Sequence, residues 1–522
     1  MSADDKKSGP KGTAKAKRKA APYDYRIPAG SRWAGLWKMW AALGVVGLAL
    51  SGVGYVSDPK RFAFSYLFAF MVALSVALGS LFFIIIERLT SAYWSVAVRR
   101  IAEFFASGFP ALLVLFAPIL LCMGSLFPWL HDGSEAASTE QHETSSLIEP
   151  LIGVAHAQDH PPSPPQHAAA PGQGPSGGPH HGEGNQVPGQ PGTHPPGHPP
   201  TTGSVGHAPG SGGSGNHMPP PGHAAPSRAE GAGSVDEAAI EAHEAQTMAK
   251  KAGYLNRNFF LLRIALYFSA WLFISFRYFR LSTSQDTSKD PSLTRQAQSF
   301  APFATILFGL SLTFAAFDWL MSLEPTWFST IFGVTYFAGC VVTIFATLTV
   351  VAMALREEGL LKNAVTIEHF HDLGKLLFGF LVFWAYVNFS QFMLIWYAAL
   401  PEETTFYHLR WDVGPWAYFS LLIVIAHFVV PFFILISRNV KRRLPALRIG
   451  AVWLLVMHVV EIYWVVMPNY NHGESSVSWI DFACLAGVLG VYLAMVFRKM
   501  TQHPLIPVGD PRLARSLAFE NA

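Results

Sequence analysis

Long apolar runs separated by short polar corners set the pattern of this chain. Ten runs reach the roughly 20 residues that a helix needs to cross a hydrocarbon core. They cover 33–56, 62–87, 103–130, 254–279, 300–323, 328–355, 372–400, 412–437, 445–468 and 475–498. The pattern predicts an all-α integral membrane protein of about ten transmembrane helices. One stretch, 313–404, stands out within it. It runs through Asp318-Trp319, a polar corner at Ser322 to Pro325, a span carrying Asn388, Ser390 and Gln391, and the acidic corner Glu402-Glu403.

Ionisable groups inside such spans are costly and mark interiors, cavities or pathways. Here they are Glu87, Arg263, Asp318, His427, His458, Glu461 and Asp481, with Asp372 at a span boundary. His458 and Glu461 are three residues apart, as are Asn388 and Gln391, so each pair shares a helix face. The set forms a candidate proton path: Asp318, Glu461, Asp481, His458, His427, Asp372, Glu87, Asn388 and Gln391. Arg263 is the candidate ion-pair partner of one of the acids, which would make that acid purely structural.

The basic residues give an orientation. Arg88, Arg99, Arg100, Arg277, Arg280, Lys289, Arg295, Arg356, Lys362, Lys375, Arg438, Lys441, Arg442 and Arg443 fall in loops on one side of the spans, while the loops on the other side hold only Lys60, Arg61, Arg410 and a few basic residues of the long loop 131–252. The corners after Asp318 and after Met467 carry no Lys or Arg. By the positive-inside tendency, both termini are expected in the cytoplasm. Residues 1–30 are expected to be a disordered basic tail, 31–130 to hold helices one to three, 253–500 helices four to ten, and 501–522 a cytoplasmic tail.

Residues 131–252 break the pattern. Thirteen of the twenty histidines lie there among Pro, Gly, Ser and Ala. So few aliphatic and aromatic groups cannot form a core, and an outer-face disordered insertion is expected. Its histidines could bind a metal, although a flexible polar tether explains them as well.

Composition narrows the chemistry. The chain has 522 residues, 51% hydrophobic and 14% charged, with a net charge of +3. Nucleic-acid binding draws no support from this balance. Cys122, Cys340 and Cys484 lie in different spans, without CxxC or CxxCH spacing. No metal site and no haem c or iron–sulfur site is therefore expected on this chain. No catalytic residue is expected either.

The runs TFAAFDWLMSLEPTWFSTIFG, EHFHDLGKLLFGFLVFWAYVNFSQFMLIWYAALPEET and HFVVPFFILISRNVKR resemble the ActF family of membrane subunits of bacterial alternative complex III. That family lies within the wider NrfD-like, or polysulfide-reductase membrane-anchor, group. ALGSLFFIIIERLTSAYWSVAVRRIAE, YLNRNFFLLRIALYF and HVVEIYWVVMP follow the same pattern. The resemblance covers nearly all the spans and leaves out the tail and the insertion. It implies two four-helix bundles, spans two to five and six to nine, with spans one and ten peripheral. It also implies a place in the bacterial inner membrane, in a respiratory quinol:electron-acceptor oxidoreductase. The implied partners are a paralogous NrfD-like (ActC-like) membrane subunit, multihaem cytochrome c and iron–sulfur subunits, and a terminal oxidase. The chain itself is then a cofactor-free scaffold with a proton-conducting role, or a subunit that binds quinol directly. A stand-alone secondary transporter is the alternative outside this class.

Overall fold

The structure, a computed structural model, describes residues 24–130, 242, 245–412, 414–470 and 477–521, without the side chains of 401 and 402. The tail 1–23 and most of the His-rich insertion therefore lie outside the described residues, as does the side chain of Glu402. Every regular element among the described residues is helical.

Among the described residues, ten helices are long and apolar enough to span a membrane. They are α1 (Arg32–Ser57), α2 (Pro59–Leu89), α3 (Val96–Leu121), α4 (Arg257–Ser288), α5 (Pro291–Leu323), α6 (Phe332–Glu357), α7 (Ile367–Ala398), α8 (Trp416–Leu435), α9 (Leu444–Asn469) and α10 (Trp479–Gln502). The protein is a multi-pass membrane protein.

Their ends follow local chemistry. Asp58 caps α2 by accepting from the Arg61 N–H, with Pro59 in the first turn. Asp290 and Pro291 repeat that device at α5. Asp-Pro suits a helix start because the carboxylate satisfies a free N–H and proline needs none. Thr366 with His369, and Ser478 with Asp481, form reciprocal capping boxes at α7 and α10.

α2, α3, α4 and α5 pack as one bundle and α6, α7, α8 and α9 as a second. The first helix of each, α2 and α6, is the most buried in its bundle, and the two pack on one another. Close approach is possible because Gly79 faces the Cys340 carbonyl, where a Cβ would sit 2.2 Å from the oxygen. α10 is less peripheral than expected, packing on both α2 and α3. α1 lies antiparallel against it through Gly44, Gly47, Gly487 and Gly490, with Gly47 directly on Gly487. Small residues at such spacing let two backbones approach within lipid. The start of α1 and the end of α10 thus share one face, called here the terminal face.

Three boundaries differ from expectation for a physical reason. α3 begins at Val96, ahead of the apolar run, and α4 and α5 extend through the polar stretch 280–299. Arg88, Arg99 and Arg100, read as loop charges, are instead buried in α2 and α3. Carboxylates meet them there, so the helix continues. The C-terminal tail is also not free. The Leu505 N–H donates to the Tyr25 carbonyl, and Ser516 bonds both Trp94 O and the Ala97 N–H.

Candidate functional site

The predicted residues fall into two chemical groups. In the first, every acid meets a guanidinium. Asp318 on α5 accepts from Arg263 Nε at 2.7 Å and Nη2 at 2.9 Å. Tyr267 Oη donates to the same carboxylate at 2.6 Å. Arg263 also donates to the Tyr254 carbonyl and lies 3.8 Å from the Tyr254 ring centre. A bidentate, buried pair of this kind fixes the charge and geometry of both groups. Asp481 on α10 accepts from Arg61 at 2.8 Å, from Ser65 at 2.5 Å and from its own cap N–H at Ser478.

Glu87 belongs to a larger ionic cluster at the terminal face of the first bundle. Arg99 binds Glu87 at 3.1 Å, Glu103 at 2.9 Å and Asp510 at 2.8 Å. Arg100 binds Glu103 and Asp286, each at 2.8 Å. Arg512 reaches Glu87 and Asp510, and Arg88 lies 3.5 Å from both. Four guanidinium groups therefore face four carboxylates. Asp510 and Arg512 come from the C-terminal tail, so the tail's fold depends on this cluster.

The second group lies in the second bundle around Glu461. The Glu461 carboxylate accepts from Trp384 Nε1 at 2.6 Å and bonds His458 Nδ1 at 2.9 Å. His427 Nδ1 stands 3.8 Å from the same Oε2. The His427 ring stacks on the Trp384 indole, with centroids 4.0 Å apart and planes at 18°. His458 Nε2 lies 2.8 Å from Ser75 Oγ, which crosses from α2 in the first bundle. Gly339 on α6 leaves room for the pair, since a Cβ there would meet the His458 ring at 3.0 Å. No Lys or Arg pairs with Glu461 among the described residues.

The proton positions follow from donor counting. A carboxylate only accepts, so His458 Nδ1 carries a proton toward Glu461. Ser75 Oγ also lies 2.7 Å from the Val72 carbonyl. When the serine hydroxyl donates to Val72, His458 Nε2 must donate to the serine, and the ring is an imidazolium. When the hydroxyl turns to Nε2, the ring is neutral. One set of heavy atoms thus accommodates two proton counts.

Among the described residues, His427 is left without hydrogen bonds. Both of its ring nitrogens are buried and unpartnered. An imidazole always carries at least one N–H, and leaving a buried donor unmet costs about 1–3 kcal/mol. The cause is local. Residues Ile423–Val429 form a π-helical turn just before Pro431. Proline offers no N–H and its ring crowds the carbonyl four residues back, which widens the turn. The Ala426 carbonyl, five residues before Pro431, accepts from Trp453 Nε1 at 2.7 Å instead.

The remaining candidates flank this centre. Gln391 Oε1 lies 3.3 Å from Ser329 Oγ and 3.4 Å from Thr335 Oγ1, and its amide donates to Tyr407 at 3.2 Å. Asn388 donates to the Trp384 carbonyl at 2.9 Å. Both lie between Glu461 and the face opposite the termini. Asp372 sits toward the terminal face, 2.5 Å from Lys375. It is about 18 Å along α7 from Trp384, at 1.5 Å per residue.

Sequence reading missed Trp384, Ser75 and Pro431, and it placed Arg410 in a loop. Arg410 is fully buried, bonded to Glu324 at 2.9 Å and to the Phe406, Trp464 and Val465 carbonyls. Pro431, four residues after His427, was the one legible signal of the π turn. No family model and no curated protein matches the chain.

Proposed function

We propose that the chain is a membrane subunit of an NrfD-like quinol:electron-acceptor oxidoreductase, in which the first bundle is scaffold and the second holds and passes protons. The observation that carries the proton role is the company Glu461 keeps. It is a buried carboxylate whose partners are two imidazoles and an indole, not a guanidinium or an ammonium. Imidazoles exchange protons near neutral pH, whereas guanidinium groups do not. The quinol complex, its haem c and iron–sulfur partners and the bacterial inner membrane rest on the sequence resemblance.

Within this reading Glu461 and His458 hold the proton. Ser75 accommodates it by turning its hydroxyl, and Trp384 fixes the carboxylate. Gln391 and Asn388 would connect the centre to the opposite face.

Direct quinol binding is the second reading. A groove of about 160 Å³ lies between α2, α8, α9 and α10, lined by Phe68, Phe419, Tyr463 and Phe482. Its one acid, Asp481, is held by Arg61, so it is a poor proton acceptor for a bound quinol. The geometry therefore favours the proton role.

Purification under mild detergent tests the assignment. Multihaem and iron–sulfur proteins should copurify, and Glu461→Gln should preserve that assembly while abolishing proton movement in reconstituted vesicles. A chain that purifies alone and moves a solute would replace this reading with the transporter one.

A further inference from the structure

We infer that Trp384 and the proline-widened turn of α8 form the positioning device of the Glu461 site, delivering His427 as a second, movable proton partner of that carboxylate. This rests on the reading of Glu461 as a proton site and adds which residues set its geometry.

Trp384 touches both partners with different parts of one side chain. Its indole N–H holds Glu461 Oε1 at 2.6 Å, and its ring face carries the His427 imidazole at 4.0 Å. The other carboxylate oxygen, Oε2, is thereby aimed at His458 and toward His427 Nδ1, 3.8 Å away. A hydrogen bond needs about 2.7–3.2 Å, so the gap closes with a movement of roughly 1 Å. The π turn is the element that can make it. Pro431 withholds a backbone donor there, and Trp453 occupies the Ala426 carbonyl. Reverting such a turn to α-helical register rotates a residue by about a quarter turn, because α-helical residues are spaced 3.6 to the turn.

The proton count balances simply. A proton arriving at His427 Nδ1 gives an imidazolium beside a carboxylate. Passing it to Oε2 gives a neutral imidazole beside a carboxylic acid; the pair, at −1 before the proton arrives, is neutral on both sides of the transfer. The titratable groups facing His427 are Glu461 and His458 from α9, with Cys340 and Tyr336 near Glu461 on α6. A protonated ring stacked on an indole also gains from the cation–π contact.

The stack supplies its own readout, since a protonated imidazole lying on an indole quenches that indole's emission. The test uses the full chain in its native assembly, in detergent and in vesicles. Measurements are tryptophan emission against pH, proton uptake against pH, and thermal melting. The wild type should lose emission on acidification, and Trp384→Phe and His427→Gln should each remove that component. Glu461→Gln should move its midpoint by about one pH unit or more, which is tenfold in proton affinity. Pro431→Ala removes no side chain that bonds or stacks within the site. It should reduce the quenched amplitude at least twofold and alter the pH profile of uptake, with the melting temperature maintained.

Identical quenching and uptake profiles in Pro431→Ala and Trp384→Phe would overturn the positioning device, even where Glu461→Gln stops proton movement. Unchanged proton movement in Glu461→Gln would overturn the underlying proton reading. Should Trp384→Phe fold poorly, His427→Gln and Pro431→Ala carry the same decision.

Discussion

The two bundles bury comparable acids and treat them in opposite ways. At the terminal face of the first bundle, Glu87, Glu103, Asp286 and Asp510 meet Arg88, Arg99, Arg100 and Arg512. In the second, Glu461 meets His458, His427 and Trp384. Guanidinium partners fix a carboxylate's charge and geometry, because they never release their proton. Imidazole partners leave the charge negotiable. Burial alone therefore does not separate the two kinds of acid in this protein, and the proton inventory of their partners does.

The largest expected effect comes from breaking a fixed pair. Asp318→Asn would leave Arg263 buried opposite an amide, at a cost of about 3–5 kcal/mol. Loss of assembled protein and a lower melting temperature should follow, and Arg263→Met in the same chain should restore much of both. Arg99→Met should be at least as damaging, since Arg99 serves three carboxylates. Near-normal melting of Asp318→Asn would dissolve the contrast from the first-bundle side.

Glu461→Gln is the counterpart, with a smaller structural and a larger functional effect. The amide oxygen can still accept from Trp384, and no buried arginine is left unpaired. Stability should fall by no more than about 1 kcal/mol, the ordinary worth of one hydrogen bond. Proton movement in vesicles should be lost. Equal destabilisation in Glu461→Gln and Asp318→Asn would erase the distinction between the bundles.

Much of the fold was legible, because ten apolar runs of hydrocarbon length leave little else for the chain to do. His458 and Glu461, three residues apart, already shared a helix face in the sequence. What the sequence concealed was pairing across helices. Nothing in the run FMVALSVALGS marks Ser75 as a partner of His458, because serine in a helix ordinarily bonds its own carbonyls. Nor did the spacing distinguish Asp318, held by two arginine donors, from Glu461, held by none. The loop reading of Arg99, Arg100 and Arg410 failed for a related reason: charges that find buried partners need no solvent.

The ionic cluster makes a pH prediction for the C-terminal tail. Burial alone would raise the Asp510 carboxyl, but Arg99, Arg512 and Arg88 outweigh it and hold the group well below its ordinary 3.8. A depressed folded-state value contributes stability that is present above the unfolded value and lost as pH falls through the folded one. Tail docking should therefore be constant from neutral pH down to about 4 and weaken only below it. Protease susceptibility of residues 503–521 against pH measures this. Release between pH 5 and 7 would point to a titrating imidazole in place of Asp510.

The smallest expected effect tests access to Glu461. Gln391 lies seven residues from Trp384 on α7, about 10 Å at 1.5 Å per residue. It links Ser329, Thr335 and Tyr407 in one polar chain toward the face opposite the termini. On the other side, α7 offers Asp372, which is already bound to Lys375. Gln391→Leu keeps volume and helix propensity while removing both the acceptor and the donor. Because the contacts around Glu461, His458 and His427 are untouched, the pH midpoint of proton uptake should stay in place. The rate should fall several-fold if protons enter from the opposite face. Tyr407→Phe, which removes one link of the chain, should show a weaker version of the same effect. A shifted midpoint with an unchanged rate would mean that Gln391 acts on the charge of the centre and not on the way in.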